Sequence, residues 1–207
     1  MNNIIKRILD LLMSVSLVII LSPVILGICL AIKIDSPGPV FFVQKRRGKN
    51  FTLFSMIKFR SLRYNVPDPC KKYEMIGDDP RITRVGKFLR KTSLDELPQL
   101  FNVIIGTMCM VGPRPLVEWE SQLSLQLFAE RYFVKPGITG LSQLNGRNAI
   151  DFNKRCAFDI EYIRKQNIFL DLLLIIKTPI VLLKFQEIYP TQESQNIAAE
   201  RINLKED

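Results

Sequence analysis

The sequence predicts an α+β protein that is mostly helical and associated with a membrane. Three observations support this fold class. A stretch of 22 residues from Leu11 to Ile32 carries no formal charge. The segment from Phe51 to Ser61 alternates with period two, and most other patterned segments carry the helical spacing of three and four residues. With 207 residues, the chain has room for one domain plus a membrane segment.

The composition excludes several kinds of chemistry. Lys and Arg number 29 against 20 Asp and Glu, a net charge of +9 that predicts anionic partners such as nucleic acid, lipid headgroups or phosphorylated substrates. The chain has no histidine, which excludes the commonest general base, most zinc sites and Ser-His or Cys-His nucleophiles. The cysteines lack CxxC spacing and predict reduced, structural thiols in the cytoplasm. They are Cys29, Cys70, Cys109 and Cys156.

The apolar N-terminal stretch is long enough to span a bilayer as a helix, and no signal-peptide cleavage site follows it. Pro23 lies near its centre and interrupts the helical hydrogen bonds, while Ser22 can bond a freed carbonyl. Both flanks are basic, so the positive-inside rule gives no orientation. Two topologies stay open: a kinked span, and a hairpin bent at Ser22-Pro23 with both ends on the cytoplasmic side. The flanking cations are Lys6, Arg7, Lys33, Lys45, Arg46, Arg47 and Lys49.

After the turn signal at residues 36–39, the period-two segment predicts a short strand that aims Lys58 and Arg60 in the same direction. Two parallel cations can clamp a diphosphate, and a solvated strand face is the alternative. Residues 65–80 predict an exposed loop. An amphipathic helix with a cationic stripe follows, and it predicts a solvated face, a face on anionic headgroups or a substrate-binding face. The stripe consists of Arg81, Arg84, Lys87 and Arg90.

The segment from Thr92 to Leu100 places two carboxylates, Asp95 and Glu96, side by side. Ser93 and Glu96 have capping-box spacing, while Pro98 favours a helix that begins nearer Asp95. In either case the helix dipole helps to keep both carboxylates ionised. An ionised Asp beside a second acid can be a nucleophile, a base or half of a magnesium site. Arg90, five residues before Asp95, is placed to serve this site.

The C-terminal half supplies further candidates on predicted helices and turns. Residues 97–105 predict a buried helix that ends near Gly106. Arg114 lies between two prolines that restrict its backbone, which favours phosphate binding over a simple turn. Arg147 lies in a glycine-opened loop at 145–148. The other predicted elements are a helix at 116–134, a tight turn at 135–140, a surface helix at 152–164, and a helix at 168–185 lying on the membrane surface or packed on the hairpin.

Taken together, these motifs resemble the bacterial sugar transferases called monotopic phosphoglycosyl transferases, in the form with only a catalytic domain and a membrane hairpin. The resemblance runs from Lys6-Arg7 to about Ile188. Asn148-Ala149-Ile150 is most similar to members that start glycan assembly with a modified N-acetyl amino sugar. The matching segments are Ser22-Pro23, Gly38-Pro39-Val40-Phe41, Lys58-Phe59-Arg60-Ser61, Thr92 to Leu100, Val111 to Leu116, Lys135 to Gly140 and Asn145 to Asn148.

The resemblance implies a role for each matching residue. Asp95 becomes the nucleophile and Glu96 its partner at Mg²⁺. Phosphate-binding roles fall to Arg90 and Arg114, with Lys58 a candidate for the same task and Arg147 a candidate contact to the nucleotide. The bend of a re-entrant hairpin falls at Ser22 and Pro23, supported by Lys6, Arg7 and Asp10.

The resemblance also implies the reaction and the organisation of the chain. Such enzymes move a sugar phosphate from a UDP-sugar to undecaprenyl phosphate and release UMP, through a phospho-sugar bound to the aspartate. They act at the cytoplasmic face of the bacterial inner membrane, and later glycosyltransferases are expected partners. The expected organisation is a hairpin at 1–35, a catalytic domain at 36–188 and a polar tail at 189–207.

Two departures and two rival interpretations accompany the resemblance. Thr107 stands where the family commonly has an acid, which puts a supporting role near the site in doubt. Leu141-Ser142 replaces a Trp-Ala pair, with the loss of an interfacial aromatic ring. A membrane-tethered nucleic-acid binder would show steeply salt-dependent binding, but no recognised nucleic-acid motif is present. A non-catalytic scaffold of the same fold would not need the intact acids and arginines.

Overall fold

A computed structural model describes residues 3–64, 80–146 and 150–183, without the side chains of Asn3, Trp119, Gln126 and Leu183. This described part of the chain contains eight α-helices and two small sheets. This mixture of many helices with little sheet confirms the α+β expectation. The helices are α1 (Asn3–Ile20), α2 (Ser22–Asp35), α3 (Arg84–Thr92), α4 (Gln99–Ile105), α5 (Glu118–Leu127), α6 (Leu141–Leu144), α7 (Phe152–Lys165) and α8 (Ile168–Leu183). The strands are β1 (Phe41–Arg47), β2 (Leu53–Phe59), β3 (Cys109–Val111) and β4 (Gly137–Thr139).

The N-terminal apolar stretch forms two helices that meet at Leu21 with a bend of 61°. Pro23 lies in the first turn of α2, where its missing N–H leaves no helical hydrogen bond unmade. The hydroxyl of Ser22 donates to the carbonyl of Ile19 (2.8 Å). The break therefore lies where the sequence predicts it. Within the described residues, no single helix has the length and apolar composition needed to cross a bilayer, whereas α1 and α2 meet those criteria only as a bent pair.

Two basic side chains of α1 fasten it to the rest of the protein. The guanidinium of Arg7 donates to the carbonyls of Val103 (2.5 Å) and Ile104 (2.8 Å) in the last turn of α4. A cation at that end of a helix complements its dipole. The ammonium of Lys6 donates to a carboxylate oxygen of Asp171 in α8 (2.5 Å). Helix α8 therefore packs against the hairpin, as one of the two sequence-based interpretations predicted.

The predicted strand is confirmed as β2, and its antiparallel partner β1 was missed. The register sets Phe41 opposite Phe59 at one end of the ribbon. Phe54 and Met56 are buried on the face that also carries Lys58. The sequence FFVQKRR of β1 shows three apolar residues followed by polar and basic ones and no alternation, so it predicts a basic flank and not a strand.

Apolar side chains from both halves of the chain form two clusters. The first joins β2, α4, β3, α7 and α8, and the second joins α2 to β2 and α3. Helices α2 and α8 thus share buried contacts with the segments that carry the charged candidates. The first cluster contains Phe54, Met56, Leu100, Val103, Met108, Met110, Val111, Tyr162 and Leu174. The second contains Ile28, Ile32, Phe59 and Leu89.

Four local expectations need correction. Helix α3 begins at Arg84, because Thr83 accepts a capping hydrogen bond from the N–H of Gly86 (2.9 Å), so Arg81 of the cationic stripe precedes the helix. The predicted helix at 116–134 is α5 followed by a separate 3-10 turn, Ala129–Tyr132. The predicted turn at 135–140 contains β4, which pairs in parallel with the distant β3. The predicted surface helix α7 buries Arg155, Cys156, Asp159 and Tyr162.

Some predictions fall outside the described residues. These are residues 65–79 of the loop predicted at 65–80, the segment 147–149 with Arg147, and the tail at 189–207. The boundaries proposed for the hairpin, the catalytic domain and the tail stay predictions.

Candidate active site

Four segments bring charged side chains together just before α4. Lys58 lies near the end of β2, Arg90 in the last turn of α3, and Arg114 in the segment that follows β3. The two acids lie in a 3-10 turn, Leu94–Glu96. Ser93 makes this arrangement possible, because its left-handed conformation (φ 57°, ψ 17°) ends α3 and redirects the chain into that turn.

The capping-box interpretation of Ser93 and Glu96 is wrong. The Ser93 side chain makes no capping hydrogen bond. The first residue of α4 is Gln99, with Pro98 directly before it, so the acids precede that helix instead of opening it. The carboxylate of Glu96 is turned toward cations from other segments.

Glu96 is the acceptor that joins these segments. Its Oε1 accepts from the ammonium of Lys58 (2.8 Å) and from Nη2 of Arg114 (3.1 Å). The three side chains are 13%, 18% and 24% exposed, in that order. They are therefore shielded enough for strong electrostatic interaction and still reachable by a ligand.

Asp95 lies beside this group, with its Oδ2 3.9 Å from the ammonium of Lys58. Burial raises the pKa of Asp95 above its ordinary value, and the neighbouring carboxylate of Glu96 raises it further. Lys58, Arg90 and Arg114 act against this rise. The net direction is opposite to the one expected from a helix dipole. A carboxylate held in this way is poorly solvated, which suits a nucleophile.

The two arginines come from different segments, α3 and the segment after β3. Arg90 donates through Nε to the hydroxyl of Ser61 (2.8 Å), which fixes the direction of its side chain. The backbone around Arg114 is held at three successive carbonyls. Those of Pro113, Arg114 and Pro115 accept from the N–H of Gly137 (2.9 Å), from Arg131 (2.8 Å) and from Arg46 (3.3 Å).

Arg60, a predicted substrate-binding residue, is not brought into this group. Strand β2 ends one residue before Arg60, so the shared direction with Lys58 is lost. The guanidinium of Arg60 is buried and donates to the carbonyls of Ser36 (2.8 Å) and Pro37 (2.5 Å), the two residues that follow α2. Arg147 lies outside the described residues. A substrate contact of either residue stays a prediction.

Asn102 is a site-forming residue that sequence reasoning missed. Its side-chain amide donates to the carbonyl of Ser55 (2.7 Å) and accepts from the N–H of Ile57 (3.0 Å). It thereby pairs with the open edge of β2 as a neighbouring strand would. These two hydrogen bonds hold β2, which carries Lys58, against α4. Thr107, at the position of the commonly found acid, donates its hydroxyl to the Asn102 carbonyl (3.2 Å).

Two buried cysteines, Cys109 and Cys156, do not add a nucleophile to the site. Burial raises the pKa of the Cys109 thiol to about 12 and that of Cys156 to about 11. Both groups therefore stay protonated at neutral pH. This agrees with the structural role expected for them.

The donor chemistry of Asp95 and Glu96 fits a magnesium ion. Carboxylate oxygens are the ligands that Mg²⁺ prefers, and this ion commonly takes only one or two of them besides water and phosphate oxygens. Both side chains retain some exposure, at 15% and 13%. Across residues 3–64, 80–146 and 150–183, no group of three or more Asp, Glu, Cys or His side chains forms a closed metal site.

The fold and the site define a protein suited to phosphorylated reactants: two shielded acids surrounded by two arginines and a lysine, beside an apolar helix pair. The chain belongs to the family described as "Bacterial sugar transferase", which it matches over residues 1–185.

Several curated relatives resemble the chain at about 40% identity. A UDP-glucose:undecaprenyl-phosphate glucose-1-phosphate transferase of Escherichia coli (strain K12) is 41% identical over 185 residues, 86% of this chain and 40% of the relative. An undecaprenyl-phosphate galactose phosphotransferase of Salmonella typhimurium is 38% identical over 197 residues, 88% of this chain and 41% of the relative. The chain thus spans about two fifths of these proteins. The exopolysaccharide production protein PSS of Rhizobium leguminosarum is 40% identical over 189 residues, 86% of this chain and 94% of the relative.

Proposed function

We propose that this protein transfers a sugar 1-phosphate from a UDP-sugar to undecaprenyl phosphate and releases UMP. The observation that carries the proposal is Asp95 beside Glu96, with Lys58 and Arg114 bonded to the second acid. Such a site combines a nucleophile with charges that offset the repulsion between anionic reactants. The printed names of two relatives, which describe transfer of glucose 1-phosphate and a galactose phosphotransferase, support the assignment.

In the first step, a carboxylate oxygen of Asp95 attacks the phosphorus that carries the sugar. The bond from that phosphorus to the oxygen bridging the two phosphates breaks, and UMP leaves with the electron pair. The sugar phosphate is then bound to Asp95. Lys58, Arg90 and Arg114 stabilise the negative charge that develops on the transferred group.

In the second step, a phosphate oxygen of undecaprenyl phosphate attacks the same phosphorus. The bond to Asp95 breaks, its carboxylate is restored, and the lipid carries a diphosphate-linked sugar. A covalent intermediate allows a soluble donor and a lipid acceptor to use one site in turn. The lipid-linked product suits later glycosyltransferases as an acceptor.

Asp95 and Glu96 are the residues that would hold Mg²⁺. When bound there, the ion supplies positive charge to the phosphate oxygens during transfer. Lys58 and Arg114 keep the carboxylate of Glu96 directed into the site without the ion.

We also propose that α1 and α2 form a re-entrant hairpin at the cytoplasmic face of the bacterial inner membrane. The break at Ser22-Pro23 and the basic flanks support this topology. Apolar side chains on the outer faces of the hairpin and of α8 are exposed to an extent that a bilayer would cover. They include Leu12 (61%), Ile19 (67%), Leu26 (62%), Phe169 (85%) and Ile176 (66%).

For the donor, we propose a UDP-linked modified N-acetyl amino sugar. The sequence at Asn148-Ala149-Ile150 supports this choice, whereas two relatives are named for glucose and galactose. A screen of UDP-sugars for UMP release with undecaprenyl phosphate tests it directly. Faster turnover of UDP-glucose than of any UDP-linked amino sugar would contradict it.

The covalent step is tested by giving the purified protein a UDP-sugar and withholding the lipid. The wild-type protein should release UMP and gain the mass of one sugar phosphate on Asp95. Asp95→Asn should gain no mass and lose activity by several powers of ten, because the amide cannot attack phosphorus. The variant should stay folded, since its buried site loses a poorly solvated charge.

Asp151→Asn is a matched control for a purely structural role. Asp151 caps α7 by accepting from the N–H groups of Asn153 (2.8 Å) and Lys154 (3.4 Å). Asn caps a helix about as well as Asp, so the replacement should cost less than about 1 kcal/mol of stability and leave the mass gain intact. Near-normal turnover in Asp95→Asn would show that the covalent mechanism is wrong for this protein.

A further inference from the structure

A buried ion pair lies behind Arg114, outside the group of acids and cations described above. Arg131, in the 3-10 turn after α5, donates to a carboxylate oxygen of Asp159 in α7. The two side chains are only 2% and 1% exposed. The same Nη2 of Arg131 donates to the backbone carbonyl of Arg114 (2.8 Å).

The second oxygen of Asp159 extends this connection. It accepts from the hydroxyl of Ser142 in α6 (2.7 Å). Asp159 therefore connects helix α7 directly to α6. Through Arg131 it also connects α7 to the backbone at Arg114. Burial raises the pKa of Asp159, and Arg131 acts against the rise.

Stability alone gives a poor reason for this pair. Two charges removed from water lose hydration free energy that their attraction roughly repays, so apolar replacements of buried pairs are often neutral or stabilising. The pair's distinctive contact is with the peptide of Arg114, whose side chain bonds Glu96 (3.1 Å). The neighbouring carbonyls of Pro113 and Pro115 are held by other groups, so loss of Arg131 should shift the Arg114 peptide without displacing the whole segment.

We propose that Arg131 and Asp159 are positioning residues that set the direction of the Arg114 guanidinium toward the transferred phosphate. The role rests on the proposed phosphate transfer at Asp95. The Arg131 side chain is 2% exposed and donates to the backbone carbonyl of Arg114, so it acts through Arg114. Helix α7, which the sequence presents as a surface helix, thereby becomes part of the support of the site.

The test is a double-mutant cycle between the pair and Arg114. The paired variant Arg131→Met with Asp159→Leu avoids leaving one buried charge alone. Ser142 keeps an acceptor in this variant, because its hydroxyl also bonds Gln143 (2.9 Å). With Arg114 present, the pair variant should lower kcat/KM for UMP release about 10²-fold, as a displacement of about 1 Å does in an active site. In an Arg114→Ala background it should lower kcat/KM further by less than about twofold.

A second buried pair provides the control. Arg155 in α7 donates to Glu120 in α5 (2.6 Å), with both side chains under 10% exposed. Arg155→Met with Glu120→Leu should change kcat/KM by a similar factor in both backgrounds, whatever it does to thermal stability. Equal fold-changes for the Arg131–Asp159 variant with and without Arg114 would overturn the proposal.

Binding of inorganic pyrophosphate, measured by calorimetry, gives a readout that needs no turnover. Loss of Arg114 and loss of the pair should each weaken this binding, and the combined variant should bind no more weakly than Arg114→Ala. If the wild-type protein does not release UMP, the proposed function is wrong. The double-mutant cycle on pyrophosphate binding would still decide the positioning role. Additive effects on pyrophosphate binding would refute that role by themselves.

Discussion

Asn102 offers a test of how the site is assembled, because one side chain joins α4 to the edge of β2. In Asn102→Ala, the carbonyl of Ser55 and the N–H of Ile57 both lose their partners. An unpaired buried polar group costs about 1–3 kcal/mol. Both bonds are only partly buried, so each group falls near the lower end of that range. The variant should lose about 2–3 kcal/mol of unfolding free energy.

Asn102→Asp separates the hydrogen bonds from the loss of volume. A carboxylate can still accept from Ile57, but it has no proton for the carbonyl of Ser55. The protonated acid has that proton, so the fold favours the protonated form and raises the pKa of the new side chain above the ordinary value of about 3.9. The folded state then binds the proton more tightly than the unfolded state. Stability of the variant relative to the parent should therefore rise as the pH falls from 7 toward about 4.

Thermal and denaturant unfolding of the detergent-solubilised protein, followed by circular dichroism, measures both effects. Asn145→Asp is the matched control, since the Asn145 amide donates to the carbonyl of Leu141 (2.7 Å) at an exposed position. It should change stability by no more than about 0.5 kcal/mol and show no relative gain at low pH. A loss below about 0.5 kcal/mol in Asn102→Ala, or a low-pH gain absent from Asn102→Asp, would refute the edge-pairing argument.

Two further predictions concern the metal and the topology. Exhaustive chelation should abolish UMP release, and added Mg²⁺ or Mn²⁺ should restore it, because both acids offer hard oxygen ligands. Full activity after chelation would show that the mechanism needs no metal. Cysteines placed at Asn2 and Lys49, in a chain without its native cysteines, should both react only from the cytoplasmic side, and replacement of Ser22 and Pro23 by helix formers should shift the hairpin toward a span. Periplasmic labelling at position 2 of the unmodified hairpin would establish a spanning helix.

The parts of the site that the sequence predicted are those encoded within a few residues. Asp95 and Glu96 are adjacent, and the two prolines around Arg114 announce a constrained arginine. Lys58 was found because a period-two pattern gives the direction of a strand side chain. The same pattern gave the wrong direction for Arg60. The alternation continues to Ser61, whereas the strand ends at Phe59.

The parts that the sequence did not predict depend on contacts between distant segments. Strands β3 and β4 are each three residues long, so neither shows an alternation long enough to detect. Helix α5 lies between them in the sequence, so their pairing is not a local feature. Arg131 and Asp159 lie 28 residues apart and each looks like an ordinary surface charge. A charged residue at a buried helical position is a usable signal only once the packing of α7 is known.

The hydrogen bonds from Arg7 to α4 link the position of helix α1 to the position of Asp95 and Glu96. Arg7 holds the last turn of α4, and Asp95 and Glu96 precede its first turn. Seven residues of helix separate the two ends by about 10 Å. If α1 lies in the bilayer, as proposed, α4 is a spacer of fixed length between the headgroup layer and the proposed nucleophile, Asp95. Under that proposal, a bilayer thin or thick enough to displace α1 would move the acids relative to the acceptor phosphate. Lipid thickness would then alter turnover even with every side chain of the site intact.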